Sequence, residues 1–349
     1  MSALTETAAF ARKAIIFSVL TIIVVSFLFL IAPFIAPLFT KPASPLPTPK
    51  PESAFGKLPP LIFPENRVYP LSFKLESIEG KPPESSTSAK VYFLPKKNPN
   101  LFSRKNALTF AQNLGFYNEP QNVTETVYKF DDQNKKTALT LDITNLNFFF
   151  QREDLDSSFF QNNTSPAENE AKSMAQAFFS NLNLFDNNFN KAKVTYSASD
   201  GVKMTPVSKP YESKVIRVDF LRADVENVPI LTADYDQSNT YLIFSPKQNS
   251  SLSIENIVEA SLQNFPPDLS NASTYTIISS ANAWENLENG KGFIVRALNS
   301  GTEAVVRKIY LAYFQSENYQ SYLQPVFVFE GDQDFAALVS AIDPFWVGN

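Results

Sequence analysis

The feature that most constrains this chain is an uncharged, apolar segment close to its amino terminus. Residues 14–39 read AIIFSVLTIIVVSFLFLIAPFIAPLF, without one charged side chain. As a helix, the first nineteen of these residues would rise about 28 Å, close to the ~30 Å hydrocarbon core of a bilayer. A cleaved secretory signal usually has a shorter apolar core that ends in small residues. The sequence therefore predicts an uncleaved transmembrane helix over 14–39, whose anchor residues are Ala14, Ile15, Leu20, Phe27 and Leu30.

The charges around this segment predict its orientation. Arg12 and Lys13 abut the amino-terminal end, whereas the lysines beyond the other end are spread along a proline-rich stretch. Cations next to a membrane segment favour the cytoplasmic side, and a long following domain translocates largely regardless of its charge. We expect a single-pass protein of the cell membrane, with a cytoplasmic tail over 1–13 and a large extracytoplasmic domain.

Composition excludes several classes of function. The chain has 30 Lys and Arg against 35 Asp and Glu and no long basic run, which argues against nucleic acid as a partner. It has no Cys and no His, so disulfides, zinc sites of ordinary ligand type and Ser–His or Cys–His catalysis are excluded. Together with the resemblance described below, these missing groups lead us to expect no catalytic residue, no cofactor and no metal, and a protein that is not an enzyme.

The rest of the chain divides into three segments. Residues 40–66 include eight prolines, which favour an extended polyproline II stalk; a PxxP docking site is the alternative reading. Residues 67–248 form a predicted α+β region with two helix–strand units, and residues 249–349 form a carboxy-terminal α+β unit.

Two predicted helices resemble each other. Ala107, Phe110, Ala111 and Leu114 recur at helical spacing, and a second helix after Ser165 has apolar residues on one face over three turns. In the second helix, Ser165 is the predicted N-cap. We interpret the pair as a weak internal repeat, with chance similarity of two amphipathic helices as the alternative. A third helix is predicted over 254–265.

Strands are predicted after each helix. Alternating apolar and polar residues indicate strands over 126–130, 137–143, 193–197, 215–221 and 241–244. Three further strands are predicted over 304–314, 322–331 and 335–343. One helix followed by antiparallel strands is typical of an α+β fold, here preceded by one amino-terminal transmembrane helix.

The carboxy-terminal segment carries a family resemblance. The order A-W-x-x-L-x-x-G-x-G from Ala283, then IYLAYF, YLQPVFVFEG and VSAID ending at Asp343, resembles the end of the YycH/YycI regulators and related PepSY-like domains. The resemblance implies non-catalytic, extracytoplasmic domains built of helix–strand–strand units. It also implies a role in restraining a membrane partner such as a sensor kinase, and it brings no catalytic residues.

We therefore predict a membrane-anchored, non-catalytic binding and regulatory protein, a sensor accessory whose partner is another membrane or envelope protein. Trp346 and Trp284 are possible partner contacts, because Trp is a common interface anchor, although burial is favoured for Trp284. Two alternatives stay open: a structural or adhesive envelope protein, and a glycan-active enzyme that uses a pair of carboxylates.

Overall fold

Strands make up most of the regular structure. The computed structural model describes Leu20, Val25, Leu155, Phe159, Phe160 and residues 51–64, 72–153, 165–186, 188–200, 203–246, 252–298 and 300–348. Within this part of the chain there are seventeen strands and three α-helices. The strands form two large sheets, one of nine and one of eight strands.

Every neighbouring pair in the nine-stranded sheet is antiparallel. All of its strands come from one continuous region of the chain. Its spatial order is β3 (Gln121–Asn122), β4 (Val127–Asp132), β5 (Thr137–Asp142), β6 (Phe148–Arg152), β12 (Ile257–Leu262), β11 (Tyr241–Phe244), β9 (Val215–Arg222), β7 (Phe189–Ser199) and β8 (Met204–Pro206).

The eight-stranded sheet combines strands from both sides of that region with one short strand from within it. Its main order is β1 (Ser72–Leu75), β15 (Glu303–Phe314), β16 (Tyr322–Gly331), β17 (Ala336–Ser340) and β14 (Phe293–Arg296). Three more strands join it: β10 (Ile230–Leu231) pairs with β15, β2 (Ser88–Phe93) with β16, and β13 (Asp268–Thr276) with β2. The pairs of β15 with β1 and with β10 are parallel, and the others are antiparallel.

The helices cover the two sheets. Helices α1 (Ser103–Asn113) and α2 (Glu168–Asn181) pack their small and aromatic residues, such as Ala107, Ala171 and Phe179, into the core of the nine-stranded sheet. Helix α3 (Ser280–Glu288) packs Ala283 and Leu287 against the eight-stranded sheet, and the Ser279 hydroxyl accepts from the Asn282 amide as an N-cap. A buried helix stripe facing one side of a sheet is the ordinary way to complete a two-layer core.

Residues 51–64, here called the strap, belong to the predicted stalk but lie on the eight-stranded sheet. Leu58 is fully buried and forms a parallel bridge with Val347. The Leu58 amide donates to the Trp346 carbonyl at 2.8 Å, and the Gly348 amide donates to the Leu58 carbonyl at 2.7 Å. The strap is therefore part of the folded domain, while residues 40–50 lie outside the described part of the chain.

The strap passes from one face of the eight-stranded sheet to the other. Leu58 packs with the residues that include Phe327 and Phe329, whereas Phe63 packs with those that include Val328. Successive residues of a strand point to opposite faces, so these contacts lie on opposite sides of β16. Between them, the Gln324 side-chain amide donates to the Pro59 carbonyl at 2.9 Å.

The predicted α+β class is wrong. The structure is mostly β, and only three α-helices accompany the two large sheets in the described part of the chain. The predicted strands over 241–244 and 322–331 are confirmed with their full bounds.

The third predicted helix is also wrong. Residues Ile254–Asn256 form a short 3-10 turn, and β12 follows directly. A β-bulge adds Val258 to β12 opposite the step from Ile243 to Phe244, which breaks the strand's two-residue period. The bulge makes Ile257 and Val258 consecutive apolar residues, and together with Ile254 and Leu262 they imitate helical spacing.

The start of α2 differs from its prediction as well. The N-cap is Ala167, without a side-chain hydrogen bond, whereas the Ser165 hydroxyl donates to the Ser213 carbonyl at 3.0 Å. Ser165 therefore links the segment before α2 to the segment before β9 and does not cap the helix.

The predicted transmembrane helix over 14–39 lies outside the described residues except for Leu20 and Val25. Of its predicted anchor residues, Ala14, Ile15, Phe27 and Leu30 lie outside the described residues, and Leu20 is exposed. No helix among the described residues combines the length and apolar composition needed to cross a membrane.

Candidate functional site

A cleft of about 550 Å³ opens where loops from both sheets meet. It is formed by the segments around Lys96, Asp142, Asp186 and Asn264, together with Tyr319. These segments follow β2, β5, α2, β12 and β15, respectively. The volume lies within the range of about 300–1,000 Å³ that is usual for ligand sites. We call this feature the cleft.

One wall of the cleft is held by the turn that joins β5 and β6. Asp142 Oδ1 accepts from the Thr144 amide at 2.8 Å and from its hydroxyl at 2.6 Å, and Asn145 Oδ1 accepts from the Asn147 amide at 2.8 Å. Asp and Asn side chains commonly close turns in this way. Each of the two side chains is therefore oriented before any ligand arrives.

A chain of polar side chains holds the adjoining part of the wall, where the Asn264 backbone amide donates to Asn147 Oδ1 at 3.0 Å. Asn264 Nδ2 donates to Asp186 Oδ2 at 3.0 Å, and Asn264 Oδ1 accepts from Arg222 Nη2. Asp186 Oδ1 accepts from the Asn188 amide at 2.9 Å. The orientation of the Asn264 amide is therefore set from both ends, by a guanidinium and by a carboxylate.

Arg222 is a buried cation behind this wall, 7 % exposed. Its hydrogen bonds to described residues go to amide oxygens, on Asn264 and on Gln315 at 3.3 Å. Burial holds the pKa of Arg222 below its ordinary value, and the nearby Asp186 carboxylate opposes that shift. Arg222 Nη1 and Asn147 Nδ2 are both buried and have no hydrogen-bond partner among the described residues.

Aromatic rings form the remaining wall. The rings of Phe265 and Tyr319 meet edge to face with centroids 5.6 Å apart, and the Tyr319 hydroxyl donates to the Leu94 carbonyl at 2.7 Å. Lys96 Nζ lies 5.6 Å from the centroid of the Tyr319 ring. Apolar ring faces beside oriented polar groups are the usual composition of a ligand site.

A second polar cavity, of about 320 Å³, is lined in part by Arg217 and Tyr241, which belong to an ionic network. Arg217 Nε and Nη2 donate to the fully buried Asp219, and the Arg217 guanidinium lies 3.7 Å from the centroid of the Tyr241 ring. The Tyr241 hydroxyl donates to Glu259, and burial raises the pKa of Tyr241. Because Arg217 already pairs with Asp219, and Tyr241 with Glu259, we interpret these groups as a structural network.

Two ionic clusters lie elsewhere. Asp236 pairs with Lys193 of β7 and with Arg296 of β14, and so connects the two sheets. The hydroxyls of Tyr235 and Tyr310 both donate to Glu330, and burial raises the pKa of that carboxyl. Among the described residues, no group of three or more acidic side chains is placed to hold a metal ion.

The two predicted contact residues lie in the eight-stranded part of the fold. Trp284 is half-buried, with its ring 6.3 Å from that of Phe73 and 6.0 Å from that of Phe329. Trp346 is also half-buried, and its indole N–H donates to the Thr276 hydroxyl at 2.9 Å. Both rings therefore pack within the domain, and Trp346 sits next to the strap.

The sequence did not identify the cleft, because its residues come from segments far apart in the chain. The sequence gives only a local indication of these residues. Asx turns are common at the ends of regular elements, and this is where the chain places Asp142, Asn145 and Asp186. No spacing in the sequence indicates that these turns lie together.

Comparison with known proteins adds little. No family model matches the chain, and no curated protein matches it. Among solved structures, it is similar to an uncharacterized protein from Eubacterium rectale at 13 % identity, over 79 % of this chain and 90 % of that chain, with a TM-score of 0.40. A similarity this distant says nothing about function.

Proposed function

We propose that this protein is a non-catalytic binding and regulatory protein and that the cleft is its ligand site. The observation that carries the proposal is the set of oriented polar groups that line the cleft. Asp142, Asp186 and Asn264 are each held by hydrogen bonds within the chain. A site whose side chains are ordered before binding loses less conformational entropy when its ligand arrives.

The hydrogen bonds of the two cleft carboxylates favour binding over catalysis. Asp142 accepts from a backbone amide and a hydroxyl, and Asp186 accepts from a backbone amide and an Asn side chain. Carboxylates committed to such bonds serve well as fixed acceptors. A general acid, by contrast, must hold and release a proton at the substrate.

The regulatory part of the proposal rests on the resemblance of residues 283–343 to the YycH/YycI and PepSY-like domains. It implies that another membrane or envelope protein is the partner. The extracytoplasmic location and the membrane association of the chain stay predictions.

Cross-linking of the full-length protein in its native membranes, followed by mass spectrometry, tests the regulatory role. We expect one membrane or envelope protein to be enriched repeatedly over membranes that lack the chain. If no protein is enriched, the regulatory role is refuted. Capture of a wall polymer instead would support the structural or adhesive alternative.

Photo-reactive residues at Leu101 and Ile78 provide a matched control. Both side chains are almost fully exposed, at 97 % and 106 %, and they lie in different loops. Non-specific adhesion to apolar surface would give the same captured proteins from both positions. A defined interface predicts that the two positions capture different sets.

A further inference from the structure

We propose that the cleft binds a neutral oligosaccharide. This inference rests on the proposed function only in that the cleft is the ligand site. It adds the chemical class of the ligand, which the polar wall, the aromatic wall and the charge of the lining indicate together.

The aromatic wall suits the flat face of a sugar ring. Phe265 and Tyr319 are half-buried and in contact with each other, and Phe185 lines the same cleft. The C–H groups on one face of a pyranose form an apolar surface, which packs favourably on an aromatic ring. The Tyr319 hydroxyl is already bonded to the Leu94 carbonyl, so the ring contributes mainly its apolar body.

The polar wall suits hydroxyl groups. A hydroxyl both donates and accepts, so a polyhydroxylated ligand needs acceptors and donors side by side. The cleft supplies carboxylate acceptors on Asp142 and Asp186, and amide groups on Asn145, Asn183 and Asn264 that offer both functions.

The charge of the lining favours a neutral ligand. Its charged residues are Lys96, Lys97, Asp142 and Asp186, so the two positive and two negative charges cancel. A phosphorylated ligand would meet both carboxylates, and a polyamine would meet both lysines. Like charges brought together in a partly desolvated site oppose binding.

The test is calorimetric titration of the full-length protein, solubilised without a sugar-based detergent, with chitohexaose, cellohexaose and maltohexaose. Inositol hexakisphosphate serves as the anionic comparison. We expect at least one of the three neutral oligosaccharides to bind and the phosphorylated ligand not to bind. If none of the three binds, or if the phosphorylated ligand binds instead, the proposal is overturned.

Two substitutions at Tyr319 locate the binding. Tyr319→Ala removes the ring and should weaken binding at least tenfold, whereas Tyr319→Phe keeps the ring and should stay within about threefold, as expected for stacking. Equal affinity of the wild type and Tyr319→Ala would place the ligand elsewhere and overturn the proposal.

A third variant tests the cleft without removing a packed side chain. Asp142→Asn keeps the Oδ1 acceptor that closes the turn with Thr144 and removes only the charge. A charged acceptor forms the stronger hydrogen bond, so affinity for the neutral oligosaccharide should fall several-fold. Unchanged affinity in this variant contradicts the proposal.

The same experiments separate this proposal from the proposed function. Capture of a membrane partner is measured without any sugar, and sugar binding is measured without the partner. A captured partner with no sugar binding would reject the ligand class alone.

Discussion

Leu58 offers the sharpest test of how the strap is held. Its side chain is 0 % exposed and lies in the core of the eight-stranded sheet. Its backbone amide donates to the Trp346 carbonyl, and its carbonyl accepts from the Gly348 amide. Leu58→Ala removes most of this buried side chain and leaves the backbone bonds possible. The variant therefore isolates the contribution of apolar packing to strap docking.

We expect Leu58→Ala to lower the free energy of unfolding by about 3 kcal/mol, because Leu→Ala in a core costs about 2–5 kcal/mol. Part of this loss is the transfer free energy of the removed methyl groups, and the rest comes from the cavity that they leave. Ile62 provides a matched control on the same strap, because its side chain is 79 % exposed. We expect Ile62→Ala to change the free energy of unfolding by less than about 0.5 kcal/mol.

Two measurements distinguish local detachment from global unfolding. Urea unfolding gives the global free energy, and hydrogen exchange at the Leu58 and Gly348 amides reports the opening of the strap, because those amides donate only while it is docked. A loss of 3 kcal/mol should speed their exchange on the order of 100-fold. If Leu58→Ala and Ile62→Ala behave alike in both measurements, the docking argument is refuted.

Three further predictions concern the sheets. Burial raises the pKa of Tyr310 from 10.0 to about 12. The stability that the neutral Tyr310 side chain contributes is therefore complete below pH 10 and is lost as pH rises through about 12. The unfolding free energy of Tyr310→Phe across that window should lack this loss, and an identical alkaline loss in the variant would contradict the prediction. Asp236→Asn weakens the ion pairs of Asp236 with Lys193 and Arg296, whose side chains are partly exposed. We expect the free energy of unfolding in urea to fall by at most about 1 kcal/mol, and by less at high salt. A loss that does not depend on salt would contradict the ionic explanation. A Cβ at Gly331 would overlap the Val305 carbonyl oxygen, whereas one at Gly348 would make only ordinary contacts. Gly331→Ala should therefore cost about 1–3 kcal/mol and Gly348→Ala under about 0.5 kcal/mol in thermal unfolding, and equal costs would show that the backbone at Gly331 moves freely.

Local sequence patterns predicted several elements well, for a physical reason. The strand over 322–331 and the helix that contains Ala107, Phe110 and Ala111 depend on residues close together in the chain: a continuous apolar run in the one, and apolar residues at helical spacing in the other. Local propensity fails where a long-range pairing inserts a residue, as Val258 does in β12, because the two-residue period is then broken.

The fold class could not be predicted in the same way. Whether helix–strand units make an α+β domain or a mostly β one depends on how many strands join each sheet. The eight-stranded sheet draws β1 and β10 beside β15 from far earlier in the chain, through parallel pairings that leave no local signal.

Composition alone sets the chemical limits of this protein: without His or Cys, it has no thiol and no imidazole to offer. The docking of part of the proline-rich stretch as a strap depends on the fold, since the sheet beneath Leu58 buries it. The structure likewise brought Asp142, Asp186 and Asn264 to one cleft. The chemical group of a side chain belongs to each residue by itself, whereas a site depends on distances between residues, and only the folded chain sets those distances.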